Sequence, residues 1–171
     1  MKKISFRNDI LPLKNELFRL ALRITLNRVE AEDVVQETMI KVWNRRDRWE
    51  ELESIEAFCL TICRNIAIDK TRKMENLNQS LESEHDAPDQ SYASNPEEQV
   101  MQQDRIRLVR RLIDNLPEKQ RSVMQLRDIE GKSYKEIAQI LDISEEQVKI
   151  NIFRARQTIR QQYIETEKYG L

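Results

Sequence analysis

Apolar residues in this chain recur every three or four positions and nowhere alternate as strands do, so helices are predicted throughout. Leu13, Leu17, Leu20, Ala21 and Ile24 mark the first stripe. A second helix is predicted from Glu30 to Trp43, with Val34, Val35, Met39, Ile40 and Val42. A charged, irregular passage follows from Asn44 to Ser54. A third helix then covers Ile55 to Lys73, its buried side carrying Phe58, Ile62 and Ile66 together with Leu60.

The pattern lapses from Asn76 to Pro96, where Asn, Gln, Ser, Asp and Pro replace large apolar residues. A structureless stretch of that length is uncommon inside a compact domain and usual in a linker. Beyond it a helix is predicted from Val100 to Leu112, ending near Asn115. Pro117 suits the first turn of the next, which runs to about Ile129. Gly131 interrupts the chain. Ser133 and Glu136 form a capping box that opens a short helix to Leu141. Ser144 and Gln147 form a second box, opening a last helix that runs to about Tyr163. Two capped helices around the turn Asp142-Ile143 spell a helix-turn-helix, with Ala138 small where the helices approach.

Composition agrees with helices. Two glycines and four prolines are few turn-formers for 171 residues, and 35% of residues are charged. The expected architecture is all-α: two small helical domains, 1–75 and 99–171, joined by a flexible acidic linker, 76–98. No apolar run approaches a membrane span and the start is polar and basic rather than signal-like, so a cytoplasmic protein is expected. The net charge of −1 conceals an asymmetry. Residues 1–73 hold 15 Lys/Arg against 12 Asp/Glu, and residues 99–171 hold 14 against 11. Between them, residues 74–98 hold seven acids and no Lys or Arg. Two mildly basic lobes flank an acidic strap, so affinity for nucleic acid would rest on local clusters of Lys and Arg.

The last helix supplies such a cluster. Val148, Ile152, Ala155 and Ile159 make one buried stripe, leaving Lys149, Ile150, Phe153, Arg154, Arg156 and Arg160 on the other faces. In a helix-turn-helix the second helix enters the major groove with its N-terminal residues on base edges and flanking cations on phosphates. Glu145, Glu146, Lys149 and Ile150 stand where base contacts belong, and Arg154 and Arg156 would reach backbone or base acceptors. The plainer alternative is an amphipathic helix with a solvated basic face.

The stretch from Leu112 to Arg156, with its L-P-x-x-Q-R, G-x-S-Y-x-E-I-A and V-K-x-x-I-F-R-A-R pieces, resembles region 4 of the extracytoplasmic-function (ECF) sigma factors of the sigma-70 superfamily. That resemblance implies −35 promoter recognition, with Lys149, Ile150, Phe153 and Arg154 as contacts. A-E-D-V-V-Q-E-T-M-I-K-V-W, Ala31 to Trp43, is similar to the region 2.2 helix of the same family. The resemblance implies docking on the clamp coiled coil of the largest subunit of core RNA polymerase, through Asp33, Gln36 and Glu37 with Met39 and Trp43 as apolar contacts. The resemblance also implies a second polymerase contact, to the flap of the second-largest subunit. Glu56 to Lys73 resembles regions 2.3 and 2.4, which open the −10 element and hold an unstacked base. Arg64, Asn65, Asp69, Arg72 and Lys73 would be the contacts, and the passage around Arg48 and Trp49 would close over the base. A tryptophan there either stacks on the base or caps its own core.

The resemblance further implies a membrane-anchored anti-sigma partner, and no cofactor, metal or small-molecule substrate. It also implies neither an amino-terminal inhibitory region nor a third domain. Cys59 and Cys63 depart from the family's usual apolar or small residues. They read as small buried hydrophobes in preference to a redox pair, and two sulfurs make half a zinc sphere. The acidic linker is either a solvated spacer or an imitation of nucleic acid within polymerase. A regulator using only the helix-turn-helix would leave the Asp33 and Arg64 strings without a role. An enzyme acting on nucleic acid lacks a glycine-rich phosphate loop or a histidine base outside the linker.

Overall fold

Residues 3–80 and 100–169 are described here in a computed structural model; most of the expected linker lies outside them. The described elements are helical. After short π and 3-10 turns over Phe6–Ile10 and Leu11–Leu13 come α1 (Lys14–Thr25), α2 (Arg28–Asn44) and α3 (Ile55–Ser80). The C-terminal half holds α4 (Val100–Asp114), α5 (Glu118–Met124) running into a π turn over Gln125–Ile129, α6 (Tyr134–Leu141) and α7 (Glu145–Tyr169).

The N-terminal bundle is the mutual packing of α1, α2 and α3. The first stripe is buried as its spacing requires: Leu17, Leu20, Ala21 and Ile24 are inside, with Leu13 half-buried beside them. On α2 the buried set is Ala31, Val34, Val35, Thr38 and Val42. Thr38 is tolerated there because its hydroxyl donates to the Val34 carbonyl at 2.7 Å. Helix α2 begins where Asn27 accepts from the Glu30 amide at 3.0 Å, two residues earlier than its apolar pattern suggests. Helix α3 is buried on a wider arc, including Cys59, Leu60, Ile62, Cys63, Ile66 and Ala67. It is covered on one side by α1 and α2 and on another by α6.

Other elements differ from those read in the sequence. Helix α3 runs to Ser80, through the first five residues of the expected linker, because no glycine or proline interrupts the chain before Pro88. The passage Asn44 to Ser54, expected to be irregular, contains a 3-10 helix over Arg46–Glu51. Trp49 organises it by sitting in the core at 5% exposure and donating its indole N–H to the Val42 carbonyl at 3.0 Å.

Both serines of the C-terminal half cap their helices, and the full reciprocal box forms at the second. The Ser133 hydroxyl accepts from the Glu136 amide at 3.1 Å and donates to its carboxylate at 3.1 Å. At the next box the Gln147 amide donates to Ser144 Oγ at 3.1 Å, and the Ser144 amide donates to the Gln147 side chain at 3.2 Å. Between the helices Asp142 adopts a left-handed conformation (φ 54°), which turns the chain sharply and aims the Ile143 amide at the Ala138 carbonyl. Pro117 stands just before α5 as its N-cap rather than inside its first turn. Helix α7 continues six residues past Tyr163, and the helix packs against α4.

The two halves touch. Helix α6 lies against α3, and α5 with its π turn lies against α1. This contact carries several charged pairs, and the buried apolar residues of the two halves join in one core.

Candidate polymerase and promoter interfaces

Three outward faces carry the residues singled out in the sequence. On α2, Asp33, Gln36 and Glu37 are exposed. Steps of three and four place them beside Ile40, which is 60% exposed, and near Trp43 at 46%. Met39 points the other way, half-buried against the core, so the apolar part of this face is Ile40 and Trp43. Ile40 belonged to the helix's apolar pattern, and its role on the surface was hidden by that membership. Trp43 is held upright by an edge contact to Phe6 (centroids 5.6 Å apart) and another to Trp49 (6.1 Å), with Arg46 over its ring at 4.7 Å. Glu37 is engaged by Lys70 at 3.0 Å, and this bond keeps the lysine's pKa above its ordinary value. A cleft of about 360 Å³ beside this face, between α1 and α2, is lined by Lys14, Phe18, Arg28, Glu32, Val35 and Gln36.

On α3, Asn65, Asp69, Arg72 and Lys73 form one exposed face at helical spacing, and Arg48 is exposed on the preceding 3-10 helix. Arg64 does not join that face. It turns toward the C-terminal half, where Glu118 lies 3.9 Å away, and its side chain is only 16% exposed. Trp49 offers no ring to a base: of the two roles open to it, the structure shows it capping its own core.

On α7 the buried stripe is Val148, Ile152 and Ala155, with Ile159 half-buried. Glu145, Glu146, Lys149, Ile150, Phe153, Arg154 and Arg156 all face outward. Phe153 is 66% exposed and Ile150 43%, an unusual display of apolar surface among cations. Arg156 is not free: Asp128 holds it through two bonds, at 2.5 and 3.1 Å, which raise its pKa. Tyr134 places its ring under Arg127 (4.4 Å) and 5.8 Å from the Lys149 ammonium, so the first turns of α7 lie beside an aromatic ring. Neither Asp128 nor Tyr134 was singled out in the sequence, because neither belongs to the periodic face that flagged α7.

Cys59 and Cys63 are free thiols, fully buried. Burial pushes both pKa values up to about 12, the reverse of a reactive thiolate. Among the described residues no cluster of His, Cys, Asp and Glu could hold a metal, and no helix is long and apolar enough to cross a membrane.

A helical protein with a capped helix-turn-helix at one end and an acidic, apolar-edged helix at the other has the makings of a DNA-binding transcription factor. The comparisons make the class specific. Residues 10–76 match the model of sigma-70 region 2, and residues 106–159 match that of sigma-70 region 4. The ECF RNA polymerase sigma-E factor of Salmonella typhimurium is 31% identical over 137 residues, covering 76% of this chain and 72% of the relative. SigX of Bacillus subtilis is 29% identical over 148 residues, covering 85% of the chain and 76% of the relative. Among solved structures, RpoE of Bartonella quintana in complex with the anti-sigma factor NepR superposes with a TM-score of 0.72 at 24% identity. That match covers 91% of this chain and 94% of the other. CnrH in complex with the cytosolic domain of CnrY gives 0.67 at 21%, covering 94% and 88%. This chain belongs to the ECF RNA polymerase sigma factors. Its partners are therefore core RNA polymerase and promoter DNA, and its work is promoter-specific transcription initiation.

Proposed function

We propose that the three outward faces divide the work of initiation. The α2 face of Asp33, Gln36, Glu37, Ile40 and Trp43 docks on the clamp coiled coil of the largest subunit, carboxylates and amide accepting from a basic helix around an apolar centre. The α3 face of Asn65, Asp69, Arg72 and Lys73, flanked by Arg48, meets the −10 element. The α7 face from Glu145 to Arg154 enters the major groove at the −35 element, where Ile150 and Phe153 are suited to thymine methyl groups. Region 4 also meets the flap. The protein acts in the cytoplasm, without catalytic chemistry or cofactor of its own, and an anti-sigma protein anchored in the membrane holds it in reserve. What carries this reading is the exposure of all three faces at once on a chain of this family.

Run-off transcription with core polymerase, this protein and upstream fragments of its own genome tests it. Transcripts that require the protein are expected, and their start sites define the promoter elements. No transcript and no co-elution with core polymerase would overturn it.

A further inference from the structure

Trp43 stands near the end of α2, and a tryptophan so exposed would ordinarily sample several rotamers. This one is fixed from three sides. Phe6 meets it edge to face, with ring centroids 5.6 Å apart and planes at 83°. Trp49 meets it at 6.1 Å and 65°, and is itself held by burial and by its bond to the Val42 carbonyl. Arg46 lies over one face of the indole and donates to the Trp43 carbonyl at 3.1 Å. Phe6 is fixed in turn. The π turn Phe6–Ile10 is closed by the Ser5 amide, which donates to the Asp9 carboxylate at 2.7 Å, and by the Asp9 amide, which donates to the Ser5 carbonyl at 2.8 Å. The Leu11 amide donates to the Phe6 carbonyl, Ile10 is fully buried beneath the turn, and the turn packs against α3. All of this lies ahead of Leu13, where the periodic stripe of α1 begins.

We infer that Phe6 is a positioning residue for polymerase docking: the turn Phe6–Ile10 holds its ring against Trp43, so the indole is already oriented when the docking face meets its partner. The inference rests on the reading that Trp43 belongs to the face that meets the clamp. Tryptophan is among the residues that dominate interface energy, and it contributes most when its rotamer is settled beforehand. Every side chain immobilised only on binding subtracts from affinity. Phe6, Trp43 and Trp49 form a chain of rings from the first turn, across the end of α2, to the 3-10 helix. Three separate segments thereby support one contact. An aromatic edge contact contributes beyond the area it buries, so its loss should read as a roughly two- to tenfold fall in affinity.

Titration of core polymerase with the full chain tests this in a cycle of Phe6→Leu, Trp43→Ala and the double variant. Leucine keeps an apolar side chain and removes the ring. Phe6→Leu is expected to weaken binding roughly two- to tenfold, and Phe6→Tyr to keep wild-type affinity. Once Trp43 is alanine, Phe6→Leu should cost nothing further, whereas a merely structural loss would persist in that background. Fluorine NMR of the chain labelled with fluorotryptophan reads the indole itself. The Trp43 resonance, assigned from Trp43→Phe, should move in Phe6→Leu, and an unmoved one overturns the inference. If circular dichroism shows Phe6→Leu unfolded, Asp9→Ala takes its place, since it removes the bond that closes the turn and leaves the apolar core intact. A loss of affinity that adds to that of Trp43→Ala, or no loss at all, overturns the positioning role alone. Trp43→Ala binding as tightly as wild type removes Trp43 from the docking face, and the inference falls with that reading.

Discussion

At the scale of single residues, several side chains do something other than their type suggests. The thiols are inert. Both pKa values are raised in the folded state from an ordinary value near 9 to about 12. Their stabilising contribution is thus complete below pH 9 and is lost as pH rises toward 12, where the unfolded chain ionises first. Denaturant titrations should show stability falling across that window, and Cys59→Ala/Cys63→Ala should flatten the fall. Native protein at pH 8 should resist iodoacetamide. Arg156 is held by Asp128, so Asp128→Asn should loosen the recognition helix's later turns and weaken binding to −35 duplex. Arg154, which has no such anchor in the described structure, should lose roughly 1–3 kcal/mol on alanine substitution if it meets a base edge. Filter binding of region 4 duplex targets by the full chain separates the two.

At the scale of elements, the sequence was most legible where local chemistry decides the outcome. The two capping boxes needed only a serine and a partner three residues on: in both the serine oxygen accepts from the amide three residues on, and the reciprocal bond to the serine amide forms at Ser144. Ser144→Ala should cost about 1 kcal/mol of stability in chemical denaturation, the usual worth of an N-cap. The stripes of α1 and α7 were equally plain. Legibility failed where tertiary contact decides. Met39 and Ile40 are adjacent apolar residues on one helix, and only the packing of α2 shows that one faces the core and the other faces out. Trp49 and Trp43 are similar: a sequence offers two tryptophans near a basic passage, while the fold buries one and displays the other. The α2 face makes its own prediction. Asp33→Arg should weaken co-elution with core polymerase without changing helicity, and unchanged co-elution would remove α2 from the interface.

At the scale of the whole molecule, charge is arranged on two levels. The outward faces carry the groups proposed to meet polymerase and DNA, and the face between the halves carries cations matched to anions. Sequence alone pointed to two domains and a strap, because domain composition is a local property. It was silent on the contact between them, since Arg23 and Asp114 are ninety-one residues apart and nothing periodic links them. Arg64 shows the consequence. It matched the −10 string by position, and the fold turns it toward the C-terminal half, 3.9 Å from Glu118. Arg64→Ala should therefore disturb the contact between the halves, which thermal denaturation reports, separately from any loss of promoter melting, which permanganate footprinting reports.

The matched charges between the halves also bear on the salt this molecule tolerates. Pairs that are partly buried are screened less by ions than exposed ones. The contact between the halves should therefore survive an ionic strength that already strips the outward cations from phosphates.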